Sequence, residues 1–303
     1  MIGKNRREVA PIMKCSLCPR MCGAERTADA GNGVCGLGTD PVIARAALHF
    51  DEEPVISVPG SGSGAVFFAG CSLKCVFCQN YSISHDHFGK RVTVGRLKEI
   101  YQELIDQGAA NINLVSGAHF LPAIIESLRD RPGVPVIWNS GGYERPESIR
   151  ALKGLVDVYL PDFKYADRKT ALKYSGAADY PDFAKEAIRE MLRQTGPVEV
   201  DEDGAIVRGT IIRHLILPGQ AENSKRVLDY IQKHFKGAWV SLMAQYVPMG
   251  RACEYPEINR PITQAEYDEV VDHMLSLGLE DGFCQELESA DSKYTPAFDL
   301  TGV

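Results

Sequence analysis

The sequence predicts an α/β protein whose parallel sheet closes, partly or completely, into a barrel. From residue 65 onward, short apolar runs rich in β-branched residues alternate with segments of helical apolar spacing, which is typical of βαβ units. Polar and reactive residues follow several of these runs, as they do at the strand tips of an α/β barrel. Seven of the nine cysteines lie within the first 78 residues. We therefore expect a small cysteine-rich extension before the barrel.

The apolar pattern places the elements in order along the chain. The predicted strands cover residues 65–69, 111–116, 134–139, 156–160, 210–217 and 238–243. The predicted helices cover residues 93–107, 120–129, 146–153, 183–195, 223–235 and 263–277. Thr93 is the expected N-cap of the first helix, and the last helix opens with a capping box of Thr263 and Glu266. Residues 282–285 allow one more short strand, while the tail after them shows no clear period.

A flexible linker is predicted at residues 58–64, Val-Pro-Gly-Ser-Gly-Ser-Gly. It divides the chain into an N-terminal extension, residues 1–57, and a barrel domain, residues 58–303. The glycines lack the G-K-[ST] ending of a phosphate loop and precede a strand instead of following one. We therefore interpret them as a linker.

Composition excludes several classes of protein. A 45% apolar chain of 303 residues can bury a sizeable core. The net charge of −7, with both signs interspersed, offers no basic surface for nucleic acid. The start lacks the apolar run of a signal peptide, and no stretch approaches the roughly 20 apolar residues of a membrane span. We expect a cytoplasmic protein without nucleic-acid or membrane partners, whose clustered cysteines serve metal or redox chemistry.

The most informative motif is a cysteine triplet, C-x3-C-x2-C, formed by Cys71, Cys75 and Cys78 directly after the first predicted strand. A structural zinc or an ordinary iron–sulfur cluster takes four protein ligands. Three thiolates in one loop therefore predict a metal centre with one open coordination position, where chemistry can take place.

A second group, Cys15, Cys18, Cys22 and Cys35, provides four thiols within the predicted extension. Four soft ligands can close a tetrahedral site, and metal binding would stabilise a segment that has little core of its own. The spacing leaves three interpretations open: zinc, a second iron–sulfur centre, or reduced thiols packed without a metal.

The triplet, with Phe77 just before its third cysteine, resembles the signature of radical S-adenosylmethionine (SAM) enzymes. The resemblance implies a partial (βα)6-type barrel and a 4Fe-4S cluster whose open iron is chelated by the amino and carboxylate groups of SAM. It also implies an oxidoreductase that reductively cleaves SAM to a 5'-deoxyadenosyl radical, which abstracts hydrogen from a substrate. The alternative for the triplet is a zinc site completed by His85 or His87.

Residues 65–250 resemble in particular the branch that contains the pyruvate formate-lyase activating enzyme. That resemblance implies a protein substrate, a backbone glycine of a partner enzyme, and a flavodoxin or ferredoxin as electron donor. Two alternatives remain: a radical SAM enzyme acting on a small molecule or another protein side chain, and a metal-binding interaction protein without catalysis.

The resemblance also assigns candidate cofactor-binding residues at two strand tips, in addition to Phe77. Ser116, Gly117 and His119 stand where the superfamily carries Gly-Gly-Glu, which receives the SAM amine, so the expected Glu is missing. Asn139 and Ser140 match the D-T-N-G turn that lies near the SAM carboxylate and ribose in the activating enzymes.

The next two strands complete the candidate set. Asp162 and Lys164 match the D-x-K motif of the activating enzymes, and Arg213 and His214 match a strand that lines their nucleoside pocket. Because side chains alternate across a strand, only one of the last two points inward easily, and we predict His214. Lys164, Asp162 and His214 are thus the candidate catalytic residues, and all four residues are also candidates to bind the cofactor.

Overall fold

A mostly parallel sheet organises residues 13–289 and 295–303, which this computed structural model describes. The strands are β1 (Met13–Lys14), β2 (Glu25–Arg26), β3 (Val42–His49), β4 (Ser63–Phe68), β5 (Lys90–Arg91), β6 (Asn111–Val115), β7 (Val136–Ser140), β8 (Val158–Pro161), β9 (Glu199–Val200), β10 (Ile206–Leu215), β11 (Trp239–Met243) and β12 (Gly282–Cys284). The helices are α1 (Tyr81–Ser84), α2 (Val94–Asp106), α3 (Leu121–Ser127), α4 (Pro146–Ala151), α5 (Arg168–Ser175), α6 (Tyr180–Thr195), α7 (Ala221–His234) and α8 (Gln264–Ser276).

The main sheet has the order β12-β11-β10-β8-β7-β6-β4-β3-β5, with β9 paired to β10 at the side. From β4 to β12 each neighbouring pair along this order is parallel. All six predicted strands and the additional short strand are therefore present, and the predicted α/β class with a parallel sheet is confirmed. Because consecutive parallel strands lie side by side, their carboxyl ends meet at one edge of the sheet.

Among the elements that the sequence pattern did not predict, β3 and α5 are the longest strand and helix. β3 pairs antiparallel with β4, although it lies within the residues assigned to the predicted extension. Its sequence, VIARAALH, is rich in alanine and lacks the alternation that identifies a strand. Helix α5 also escaped prediction, and its N-cap Asp167 accepts hydrogen bonds from Lys169 N and Thr170 N.

Apolar side chains fill the sheet interior near the starts of the strands, and polar ones take over near the ends. A small core inside the sheet contains Ile137 of β7, Leu160 of β8 and Ile211 of β10, together with Ile56. Two residues further along the same faces stand Asn139, Asp162 and Arg213. Along these strand faces, apolar residues therefore lie near the middle of the strands and polar residues lie at their carboxyl ends.

Gly142, in the turn after β7, fixes how closely this turn approaches β8. Its φ of 73° lies in the left-handed region, and a β-carbon there would overlap the carbonyl oxygen of Asp162. We expect Gly142→Ala to lower the free energy of unfolding by about 1–3 kcal/mol. Chemical denaturation measures the change.

The matched control is Gly133→Ala, because a β-carbon at Gly133 would meet nothing within 4 Å. Equal free energies of unfolding for the two variants would contradict this prediction and show that the turn after β7 accommodates a β-carbon without strain.

Candidate active site

One cavity lies over the carboxyl ends of the parallel strands. It is lined by Cys71, Cys75 and Cys78 after β4, and by residues at the tips of the following strands: Val115, Ser116, Asn139, Ser140, Gly141, Asp162, Lys164, Arg213, Leu215, Met243 and Gln245. Phe77 also lines it and packs edge-on against Tyr174 and Tyr246. The cavity thus brings the cysteine triplet together with most of the predicted cofactor-binding residues.

Each thiol of the triplet receives one hydrogen bond from a nearby donor. Ser175 Oγ lies 3.1 Å from Cys75 Sγ, Ser84 Oγ lies 3.3 Å from Cys78 Sγ, and Leu73 N lies 3.3 Å from Cys71 Sγ. Burial raises the pKa of Cys75 to about 12. A buried thiolate therefore needs positive charge beside it, which a bound metal centre would provide.

The histidines of the alternative zinc site already have other partners. In the described ranges, no three Cys, His, Asp or Glu side chains form a group that could hold a metal ion. His85 bonds to Ser84 Oγ at 2.8 Å and His87 lies 3.1 Å from Lys74 Nζ, so neither favours the alternative zinc site.

A buried ion network forms the wall opposite the cysteine loop. Asp162 accepts from Lys164 Nζ at 2.5 Å and from Arg213 Nε at 3.0 Å. Burial disfavours the charged carboxylate, but the two cations outweigh burial and hold the pKa of Asp162 below its usual value. Arg213 also donates to Asn139 Oδ1 at 2.6 Å. The network therefore ties the tips of β7, β8 and β10 together.

The prediction that His214 points inward is wrong, because Arg213 occupies the cavity side of β10. His214 lies on the opposite face, where it donates through Nδ1 to the Phe163 carbonyl oxygen at 2.7 Å and accepts from Ser224 Oγ at 2.8 Å. Burial lowers the pKa of His214 to about 4. His214 is thus a neutral residue that joins β10 to α7.

The segment that replaces Gly-Gly-Glu reaches the cavity only through Ser116, which has a left-handed φ of 62°. A β-carbon at Gly117 would press against Ile124, so Gly117 packs towards the core. His119 is buried and donates to the Ala69 carbonyl oxygen at 2.7 Å, and burial lowers its pKa to about 3. We correct the expectation that Gly117 and His119 contact the cofactor. The side of Gly117 where a β-carbon would stand and the side chain of His119 both face the protein interior.

Comparison with known families identifies the superfamily of the chain. The model of the radical SAM superfamily matches residues 65–243, from the start of the first predicted strand to the end of β11. The chain belongs to the radical SAM superfamily. Membership implies an enzyme that uses SAM and a 4Fe-4S cluster, in agreement with the open position of the triplet.

The chain also resembles individual proteins and solved structures. The chain is 33% identical over 271 residues to the uncharacterized protein MJ0674 of Methanocaldococcus jannaschii, covering 85% of this chain and 73% of that protein. It resembles SuiB of Streptococcus suis bound to SAM (TM-score 0.48, 13% identity, 73% of this chain) and a C140S mutant of spore photoproduct lyase (TM-score 0.49, 13% identity, 79% of each chain). The chain spans about half the length of SuiB.

Among the described residues, every helix is too short or too polar to cross a membrane.

The four N-terminal cysteines lie near one another and close to the loop of Cys71, Cys75 and Cys78. Three of them, Cys15, Cys18 and Cys35, are buried, and Cys22 is exposed. Burial raises the pKa of Cys18 to about 11, and the other three thiols lie near enough to raise it further. A metal on these cysteines stays a prediction.

Arg20, between Cys18 and Cys22, connects this N-terminal group to the cysteine loop. Its guanidinium donates to the carbonyl oxygens of Ser72 and Leu73 at 2.8 and 3.1 Å. It also donates to the carbonyl oxygen of Ser175, at 2.9 Å. Ser175 in turn bonds to Cys75, so one arginine holds both the cysteine loop and a residue that bonds to a thiol of the triplet.

Glu52, which no sequence pattern singled out, lines the cavity together with His49 and Asp51. Its carboxylate lies 3.5 Å from Arg213 Nη1. Burial raises the pKa of Glu52, and Arg213 offsets only part of this shift. The acidic run Asp51-Glu52-Glu53 is the sequence feature that could have drawn attention to Glu52, but only the fold shows that this run reaches the strand tips.

We expect Arg20→Ala to lower the free energy of unfolding by about 1.5–3 kcal/mol, because several carbonyl oxygens lose a charged donor. It should also reduce the iron retained after anaerobic reconstitution, since the cluster loop loses its support. Arg20→Lys should restore this only in part, because an ammonium cannot reproduce the fork of a guanidinium.

The control is Arg129→Ala, whose guanidinium is 70% exposed and pairs with Glu126 on the surface. Equal iron content in Arg20→Ala and Arg129→Ala would contradict a supporting role for Arg20.

Proposed function

We propose that Cys71, Cys75 and Cys78 hold the 4Fe-4S cluster of this chain and that SAM binds in the adjoining cavity. The observation that supports this is the position of three thiols on one wall of a cavity whose remaining walls are strand tips. When bound, the reduced cluster and SAM supply a radical that can take a hydrogen atom from a substrate.

The side chains of the chain would bind and orient SAM from several strands. Ser116 offers a hydroxyl at the tip of β6, and Asn139 presents an amide held in place by Arg213. Ser140 already donates to Glu144 Oε2 at 2.7 Å, so its role is to fix the turn after β7. Fixed polar groups of this kind lower the entropic cost of positioning a reactant.

Lys164 is the cation best placed to act near the cluster. Its ammonium pairs with Asp162, and its positive charge opposes the rise in the pKa of the Cys75 thiol. Burial lowers the pKa of Lys164, but the negative charges of Asp162 and of a Cys75 thiolate outweigh burial and raise it. The ammonium is therefore available to a carboxylate of SAM or of the substrate, as well as to a cluster thiolate.

Apolar side chains around the cavity would exclude water from the reacting atoms. Leu73 and Phe77 of the cysteine loop, Val115 of β6, and Leu215 and Met243 of the later strands line it. A dry pocket protects a reactive radical from side reactions.

The activating-enzyme motifs at Asn139, Asp162 and Lys164 favour a finer proposal, in which the hydrogen comes from a glycine of a partner protein. A flavodoxin or ferredoxin would then deliver the electron. A small molecule or another protein side chain is the alternative substrate, and incubation with candidate partner proteins tests between them through a glycyl radical signal.

The proposal predicts that Cys75→Ala loses the site-specific cluster and with it SAM cleavage, while any metal on the N-terminal cysteines stays bound. Two thiolates cannot hold three irons of the cluster, and the emptied position is buried. Iron and zinc analysis of anaerobically reconstituted protein, with methionine release in the presence of a reductant, measures both effects.

The control is Cys253→Ala, because Cys253 is exposed and distant in sequence from the triplet. Full iron content and SAM cleavage in Cys75→Ala would overturn the assignment of the triplet.

A further inference from the structure

Cys75 receives the shortest hydrogen bond of the three thiols in the triplet. Ser175 Oγ lies 3.1 Å from its sulfur, whereas the donors to Cys71 and Cys78 both lie at 3.3 Å. Cys75 is buried, and so is Ser175, the last residue of α5. Because water is excluded here, the bond is electrostatically stronger than the same bond at the surface.

A second hydroxyl stands behind this serine. Tyr165 Oη lies 2.7 Å from Ser175 Oγ, and the tyrosine is fully buried. A metal-bound thiolate has lost its proton, so it can only accept a hydrogen bond. Ser175 must then donate to Cys75, which leaves the serine oxygen free to accept from the phenol of Tyr165. The two hydroxyls thus form a chain that ends at the sulfur.

The backbone around Ser175 holds the hydroxyl in place. Helix α5 ends at this serine, since Gly176 takes a left-handed φ of 57°. Arg20 donates to the Ser175 carbonyl oxygen at 2.9 Å. Val76 N, in the cysteine loop, donates to the Tyr174 carbonyl oxygen at 2.9 Å. The end of α5 is therefore bonded to the cysteine loop, and the donor is oriented before any cofactor binds.

Ser84, the donor to Cys78, is less committed to its sulfur. The Tyr81 carbonyl oxygen, 3.5 Å away, competes for its single proton, and His85 Nδ1 lies 2.8 Å from the same oxygen. Ser175 instead has a phenol beside it that supplies a proton. Cys75 therefore has the firmer side-chain donor.

We infer that Ser175, backed by Tyr165, raises the reduction potential of the cluster that the triplet would hold. Reduction moves one electron from a low-potential reductant to the cluster, and no proton or covalent bond is exchanged. The added negative charge is shared with the thiolates, where a hydroxyl donor stabilises it. Hydrogen bonds to sulfur are among the properties that set the potential of an iron–sulfur cluster.

Ser175 is thus a positioning residue, because it acts on the cluster through Cys75. The inference rests on the proposed function and names residues that tune the same site. The buried position of Cys75 gives the donor its importance, since water cannot stabilise the charge that reduction adds there.

The reduction potential of the full-length, anaerobically reconstituted protein tests this inference. It is measured by titration with dithionite in the presence of redox mediators, and the electron paramagnetic resonance signal of the reduced cluster is the readout. We expect Ser175→Ala to lower the equilibrium constant of one-electron reduction about tenfold, a shift of about 59 mV to lower potential. Tyr165→Phe should give a smaller shift in the same direction, because Ser175 still donates to the thiolate.

The matched controls are Ser127→Ala and Tyr101→Phe. Tyr101 of α2 and Ser127 of α3 form another buried pair of hydroxyls, 3.1 Å apart. The sequence has no cysteine between residues 78 and 253, so these helices carry none. Each control removes a buried hydroxyl and its hydrogen bond, as the test variants do, and both should keep the wild-type potential.

Iron content separates this role from mechanical support of the loop. The potential is a property of the clusters that a variant retains, so a partial loss of iron does not change it. If Ser175→Ala retains no cluster, Tyr165→Phe provides the measurement, and its potential should lie below that of Tyr101→Phe. Loss of the cluster from both test variants would show that the hydroxyls retain the cluster instead of setting its potential, and would overturn the inference.

An unchanged or higher potential in Ser175→Ala, or an equal shift in Ser127→Ala, would also overturn it. Suppose that the wild type releases methionine from SAM and that Cys75→Ala loses the cluster. A wild-type potential in Ser175→Ala would then refute the role of Ser175 alone. Equal iron content in the wild type and in Cys75→Ala would instead refute the proposed function, and the inference with it.

Discussion

The buried ion network centred on Asp162 is the interaction on which the geometry of the site depends. Asp162 joins β8 to β10 through Arg213, and the same guanidinium positions Asn139 of β7. Tyr180 donates to the Asp162 carbonyl oxygen at 2.8 Å and thereby anchors the tip of β8 to α6. Removing one partner of such a network strands a buried charge at a cost of about 3–5 kcal/mol. This network therefore fixes the walls of the cavity relative to one another.

The N-terminal residues extend this organisation beyond the segment shared with the superfamily. Arg20 bonds to carbonyl oxygens of the cysteine loop from one side, and Glu52 reaches the strands from another. The C-terminal segment packs on β3, where Ala46 N donates to the Thr301 carbonyl oxygen at 2.8 Å. Chain outside the common segment thus supports the cysteine loop and also lines the cavity.

Much of this could be predicted from sequence because the signals are local. Apolar periodicity located the parallel strands, and the spacing of Cys71, Cys75 and Cys78 singled out the loop that lines the cavity. The choice between Arg213 and His214 could not be predicted, because alternation defines two faces of a strand without saying which one is inside. Glu52 was missed for a related reason: its place in the cavity depends on contacts with strands about 60 to 160 residues away in the chain.

SAM would fill the open position beside the three cysteines. Electron–nuclear double resonance of the reduced, anaerobically reconstituted protein detects it there when SAM carries nitrogen-15 in its amino group. We expect a nitrogen-15 coupling to the cluster, because the amine would bind the iron that lacks a cysteine. A cluster signal without that coupling, in protein shown to have SAM bound, would refute this binding mode.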